Sequence, residues 1–219
     1  MSLLRQGLRA SLAAAMPRRR FMVRGPRAAP QVALTFDDGP HPEHTPRLLD
    51  RLAALRLKAT FFVVGREAER YPDIVSRAAR EGHAIGHHSW THSEPAATTA
   101  DQLSTEVQRT VALLASLTGR RSDRFRPPKG ALTAAKLVSL WRAGQRIVLW
   151  SADPRDYQLA DATALSHWAD RQRPAAGEIV LLHDLHPHAS SALEAFAQWQ
   201  QHGLEFVTLD AWLPAEPAA

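Results

Sequence analysis

The sequence contains no cysteine. That excludes a disulfide framework and any thiolate-based metal or redox centre. No apolar run approaches the roughly 18–20 residues that a bilayer-spanning helix needs. Acidic residues are missing from the first 30 positions, where seven arginines stand: Arg5, Arg9, Arg18, Arg19, Arg20, Arg24 and Arg27. The 219 residues hold 27 Lys and Arg against 22 Asp and Glu, a net charge of +5. Without the first 30 positions the count is 20 basic against 22 acidic, a net of −2. The basic character therefore belongs to an arm, not to the body of the protein. No basic patch with interleaved aromatics follows it, which argues against a nucleic-acid partner. The body is globular in composition, because 45% of the chain is hydrophobic and only 22% charged.

Residues 1–30 read as a flexible basic arm. Ser11–Met16 is Ala-rich but short, and Arg18–Arg20 follow where an export signal would carry small residues. A cytoplasmic location is therefore expected. Leu3, Leu4, Leu8 and Leu12 allow an amphipathic reading, and the arginines suit peripheral contact with an anionic membrane at its inner face. Residues 31–213 read as one domain, and 214–219 as a disordered tail.

Within that domain short apolar runs alternate with helical stripes. Strands are expected at Val32–Phe36, Ala59–Val64, His83–Gly86, Arg124–Arg126, Arg146–Trp150, Glu178–Leu182 and Leu204–Val207. Helices fall between them, including about 66–80 and Asp101–Leu117, and Thr45-Pro46 reads as a helix start. This order implies a parallel sheet with helical cover. Periodicity does not separate an open sheet from a barrel.

In parallel α/β folds the carboxyl ends of the strands converge on one face. Five strand ends here carry ionisable residues: Asp37-Asp38, His87-His88 with His92, Arg126, Asp153 with Asp156, and His183-Asp184. His88 and His92 have i, i+4 spacing, which on a helix points both rings the same way. Two neutral imidazoles and one carboxylate make an open catalytic zinc site, and Asp37 or Asp38 is placed to supply the carboxylate. The other then serves as general base.

The strings TFDDGP (Thr35–Pro40), HSWTH (His88–His92), FRPP (Phe125–Pro128), DPRDY (Asp153–Tyr157) and LLHD (Leu181–Asp184) together resemble, in order and near spacing, the five motifs of the polysaccharide deacetylase family. The resemblance implies a distorted (β/α)7 barrel and metal-dependent hydrolysis of the N-acetyl group of an amino sugar, in an oligosaccharide, polysaccharide or lipid-linked glycan. Deformylation or amide hydrolysis of a carrier-linked sugar or small metabolite is the alternative, and an inactive carbohydrate-binding relative a third. Carried over by motif, Asp37 is the base. Asp38, His88 and His92 hold a divalent metal, zinc first among candidates. Arg126 orients Asp37, and His183 is the acid. Asp153 is favoured over Asp156 as the carboxylate behind His183. Leu181 walls the acetyl pocket, and the Lys129 backbone N–H faces the oxyanion. The Lys129 ammonium also places a cation beside the site, suited to an anionic substrate. Tyr157 replaces a more usual Trp beside the substrate. Trp90 either stacks on a sugar or packs beside the site.

Overall fold

The computed structural model describes residues 15–172 and 174–213. Leu3, Leu4, Leu8, Leu12, Arg5 and Arg9 of the arm, and the tail 214–219, lie outside the described residues. The chain runs β1 (Phe21–Met22), β2 (Gln31–Asp37), α1 (His44–Ala54), β3 (Thr60–Val63), α2 (Gly65–Arg70), α3 (Pro72–Arg80) and β4 (Ala84–His87). It continues with α4 (Ala100–Thr118), β5 (Arg124–Phe125), α5 (Ala134–Arg142), β6 (Arg146–Val148), α6 (Ala162–Arg171), β7 (Glu178–His183), α7 (His188–Ala197) and β8 (Glu205–Phe206).

All pairings are parallel. The sheet order is β1-β6-β5-β4-β3-β2-β7, and β8 also pairs with β2. Beyond β6 the chain turns back toward β7. Ser151 N–H and Ala152 N–H both donate to the Ile179 carbonyl, and Ala152 bridges Val180. The sheet thereby curls round on itself into the distorted barrel.

Strand alternation sorts the core into two layers. Along β2, Val32, Leu34 and Phe36 join Leu48, Leu49 and Leu52 of α1 in the cluster between sheet and helices. Ala33 faces the other way, into an inner cluster with Phe62, Val148 and Ile179 from three further strands. Thr35 and Asp37 share Ala33's phase, so the inner face of β2 turns from apolar to polar as it reaches its carboxyl end.

Three local expectations are corrected. The arm does not stay free to residue 30: Phe21 and Met22 pair with Ile147 and Val148, and both side chains are buried. The Trp141 indole also donates to the Arg20 carbonyl. An apolar pair set among arginines has a partner more than 120 positions away, which a charge count does not reveal. The helix read over 66–80 is two helices, broken at Tyr71 (φ −129°, ψ 58°) because the residue before Pro72 avoids the helical region. The first long helix begins at His44, and Thr45 serves as a bridge rather than a cap. Its hydroxyl accepts from His41 N–H and donates to Asp184. No helix among the described residues is long and apolar enough to cross a membrane.

Candidate active site

At the end of β2, Asp37 is 2% exposed and meets Arg126, which is fully buried. Arg126 Nη1 donates to Asp37 Oδ1 at 2.6 Å and to Thr35 Oγ1 at 2.8 Å. Its Nη2 reaches the Leu149 carbonyl at 3.1 Å, and the guanidinium lies 4.1 Å from the centre of the Phe62 ring. Burial pushes the Asp37 carboxyl above its usual range, and the charge of Arg126 opposes that rise. The balance leaves a carboxylate more basic than one in water.

On the adjacent strand, β7 ends in His183, the register partner of Asp37. The Nδ1 of His183 pairs with Asp156 Oδ1 at 2.7 Å, and its backbone N–H donates to Asp156 Oδ2 at 2.7 Å. Burial alone would depress the imidazole. The hydrogen bond and charge of Asp156, aided by Asp37 and Asp38, outweigh it and hold the imidazole up at about 9. Asp153, the residue favoured by the motif resemblance, makes no hydrogen bond to His183. The chain turns at Arg155, in the left-handed region with φ 55°. That turn makes Asp153 an acceptor for Arg155 N–H at 2.9 Å and brings Asp156 back under the histidine.

Asp38, His88 and His92 converge beside Asp37, their ligand atoms all within 4.8 Å of one another. The two rings are not brought together by a helix. Residues 88–92 form a loop with positive φ at Ser89 (66°) and His92 (54°), and Asp38 itself has φ 77°. Non-glycine residues held there are strained, and such strain gathers at sites the surrounding fold over-determines. His88 Nδ1 is bound to the Arg126 carbonyl at 2.6 Å, which leaves Nε2 facing the carboxylates. Burial first, against the pull of Asp38, drops the His88 imidazole to about 3, so it is neutral, as a ligand must be.

The donor set fits a small divalent cation. Asp38 Oδ1 is buried without a hydrogen-bond partner. It lies 3.4 Å from His88 Nε2 and 3.2 Å from His92 Nε2. Ligands about 2.0–2.1 Å from a tetrahedral ion stand about 3.3–3.4 Å apart. The Asp38 oxygen thus already stands at near-tetrahedral spacing from each of the two imidazole nitrogens.

The family model for polysaccharide deacetylase matches residues 24–148. The chain belongs to the polysaccharide deacetylase family. A peptidoglycan-N-acetylglucosamine deacetylase of Bacillus cereus is 36% identical over 191 residues, covering 84% of this chain and 69% of that protein. A chitooligosaccharide deacetylase of Rhizobium leguminosarum bv. trifolii is 36% identical over 189 residues, covering 85% and 84%. The peptidoglycan deacetylase PgdA of Listeria monocytogenes is 33% identical, but the chain spans only 38% of its length. The crystal structure of the Bc1960 peptidoglycan N-acetylglucosamine deacetylase superposes with a TM-score of 0.83 at 32% identity, over 91% of this chain and 95% of that one. These relatives mark the chain as a hydrolase of the carbohydrate deacetylase type. Membership implies a divalent metal, for which Asp38, His88 and His92 are the matching residues.

The remaining residues of the deacetylase motifs divide. Tyr157 is 53% exposed with its ring edge-on to His183 at 5.2 Å, on the open side of the site. Leu181 is buried two residues before His183 on β7 and so shares its face. Lys129 sits at φ 54°, and its ammonium forms an ion pair with Glu94. Trp90 packs rather than stacks. It is buried under the Arg109 guanidinium, 3.5 Å from the ring, and it also packs against Gly65. His87 lies outside the ligand set, bound to Gln145 at 2.8 Å.

Glu106 carries no site motif, and Asp184 is marked in the sequence only as a strand-end carboxylate beside His183. Glu106 of α4 accepts from Trp90 N–H (3.0 Å), Thr91 N–H (3.1 Å) and the Thr91 hydroxyl (2.8 Å), so it ties down the loop that presents His92. Its one sequence signal is an acid next to Val107 on the inward side of an amphipathic helix. Asp184 explains Gly39 of TFDDGP: its buried carboxylate fills the space where a Cβ at position 39 would stand. Burial pushes that carboxyl up to about 7, against the Thr45 hydrogen bond.

Proposed function

We propose that the protein hydrolyses the N-acetyl amide of an N-acetylglucosamine unit within a glycan, releasing acetate, with zinc as its metal. One observation carries the reading. A buried carboxylate braced by arginine and an imidazole braced by carboxylate stand side by side at the ends of paired strands, with a His-His-Asp cluster at the same strand ends. An amide needs both a base for the attacking water and an acid for its amine leaving group. A zinc ion held by Asp38, His88 and His92 would supply Lewis acidity toward the amide carbonyl and a more acidic water.

Asp37 takes a proton from the attacking water as its oxygen bonds to the carbonyl carbon. Arg126 keeps the carboxylate facing the water. The backbone N–H of Lys129 is the candidate donor to the developing oxyanion. His183 gives its Nε2 proton to the amide nitrogen as the C–N bond breaks, while Asp156 holds Nδ1. Leu181 lines the acetyl methyl and Tyr157 the sugar. Acetate and free amine leave, and Asp37 and His183 exchange their proton with solvent.

The test is acetate release from N-acetylglucosamine oligomers of increasing length, with metal content measured alongside. Asp37→Asn should retain metal and lose turnover, and His88→Ala should lose metal. Full turnover in Asp37→Asn would refute the assignment of the base.

A further inference from the structure

Three aspartates are buried among the described residues: Asp37, Asp156 and Asp184. Two of them have a cationic partner, Asp37 in Arg126 and Asp156 in His183. Asp184 has only a neutral one. Its Oδ2 accepts from the Thr45 hydroxyl at 2.5 Å, and its Oδ1 is buried without a hydrogen-bond partner. The imidazole of His183, next in sequence, is already taken by Asp156. The link to α1 runs through the Thr45 side chain, so Asp184 is not a backbone cap of that helix. An unbalanced carboxylate at this depth is strongly unfavourable.

What Asp184 does touch is the turn that carries Asp38. Its carboxylate occupies the space beside Gly39, and Thr45 Oγ1 relays it to the His41 N–H at 2.7 Å. The Gly39 carbonyl in turn accepts from Val64 N–H at 2.8 Å. Residues 39 and 41 are thus pinned beside Asp38, which is held at φ 77°. The charges of the site can then be counted. A divalent cation on Asp38, His88 and His92 meets one negative charge, since both imidazoles bind as neutral ligands. Asp37 is balanced by Arg126. One positive charge is left over, and so is one buried carboxylate. We infer that Asp184 is a positioning residue of the metal site: its side chain sets the turn that presents Asp38, and its buried charge is the second counter-charge to the divalent ion. The inference rests on the cluster being the metal site, not on which amide is hydrolysed.

Zinc affinity, read by competition with a chromophoric chelator, and Tm with and without zinc test it at pH 8, where the Asp184 carboxyl is ionised. Asp184→Asn keeps an acceptor for Thr45 and the bulk beside Gly39, but carries no charge. It should bind zinc about tenfold or more weakly than wild type, as losses in supporting shells do. Its metal-free Tm should equal or exceed that of wild type, because the unbalanced charge is gone. Asp184→Ala also removes the side chain that fills the space beside Gly39, so it should lower both zinc affinity and the metal-free Tm. Wild-type zinc affinity in Asp184→Asn would overturn the inference. So would a metal-free Tm lowered as far as in Asp184→Ala, since the residue would then be a packing strut alone. Zinc affinity that survives His88→Ala would refute the cluster as the metal site, and this role with it.

Discussion

Asp156 engages His183 twice, taking the Nδ1 hydrogen bond with one oxygen and the backbone N–H with the other, each at 2.7 Å. A two-point grip fixes both the ring's rotation and its tautomer, so Nε2 faces the site. It also stabilises the imidazolium, the form that can protonate a leaving amine. Because Asp156 is wholly buried, no water competes for the contact.

Asp156→Asn should therefore lower kcat by about 10²–10³-fold, within the span of a positioned general acid. The sign on pH follows from the raised value of about 9. The acid is active while protonated and fails as pH rises through its pKa. Removing the carboxylate lowers that pKa, so the alkaline limb of the kcat profile should move to lower pH. Asp153→Asn should stay within about threefold of wild type, since Asp153 only closes its own turn. Equal losses in the two variants would contradict the assignment.

The contrast between these two aspartates shows what the sequence can and cannot carry. Strand ends are legible because apolar runs such as VALTF and EIVLL stop abruptly at Asp37 and His183, and parallel strands put such stops on one face. Asp37, Asp38, His88, His92, Arg126 and His183 come together for that reason. The choice between Asp153 and Asp156 depends on a left-handed residue at Arg155, and a non-glycine there sends no local signal. Trp90 looks available because it lies between two histidines, yet Arg109 of the next helix, α4, covers it. Glu106 and the pairing of Phe21-Met22 with β6 are likewise tertiary facts, set by partners remote in sequence.

The Arg126–Asp37 pair should behave as a buried charge pair. Arg126→Met leaves the Asp37 carboxylate buried without its counter-charge, at a cost of about 3–5 kcal/mol in unfolding free energy. The double variant Asp37→Asn, Arg126→Met removes that stranded charge and should recover part of the loss. Denaturant titration of the four proteins in the cycle gives the coupling. Simple additivity would mean that the pair is not energetically joined.

His83 makes the fold sensitive to acid independently of the site. It is buried, and its Nδ1 accepts the Ala59 N–H at 3.2 Å, a bond available only to an unprotonated Nδ1. Burial, helped by Lys58, lowers its pKa to about 4. The unfolded chain binds this proton from about pH 6.5 downward, while the folded chain refuses it until about pH 4. Stability should thus fall through that window as pH drops, by about 1.4 kcal/mol per pH unit for this group. His83→Gln should cost some stability at pH 7.5 but show a shallower decline in Tm between pH 6.5 and 4.5. A variant as acid-sensitive as wild type would assign the loss to other groups.

Glu106 is the last residue whose role can be isolated, because it touches the ligand loop without touching the ligand atoms. Its three hydrogen bonds hold residues 90 and 91, between Ser89 and His92, both at positive φ. A strained loop relaxes when its anchor goes, and His92 would then have to be reordered on every metal-binding event. Glu106→Ala should weaken metal affinity by about 10–100-fold, as losses in supporting shells do. At saturating metal, kcat should return close to wild type, because Asp37, Arg126 and His183 lie on other elements. Glu106→Gln keeps one acceptor oxygen and should fall between the two. Competition with a chelator reads the affinity directly. Unchanged metal affinity in Glu106→Ala would show that the loop holds its strained shape without the carboxylate.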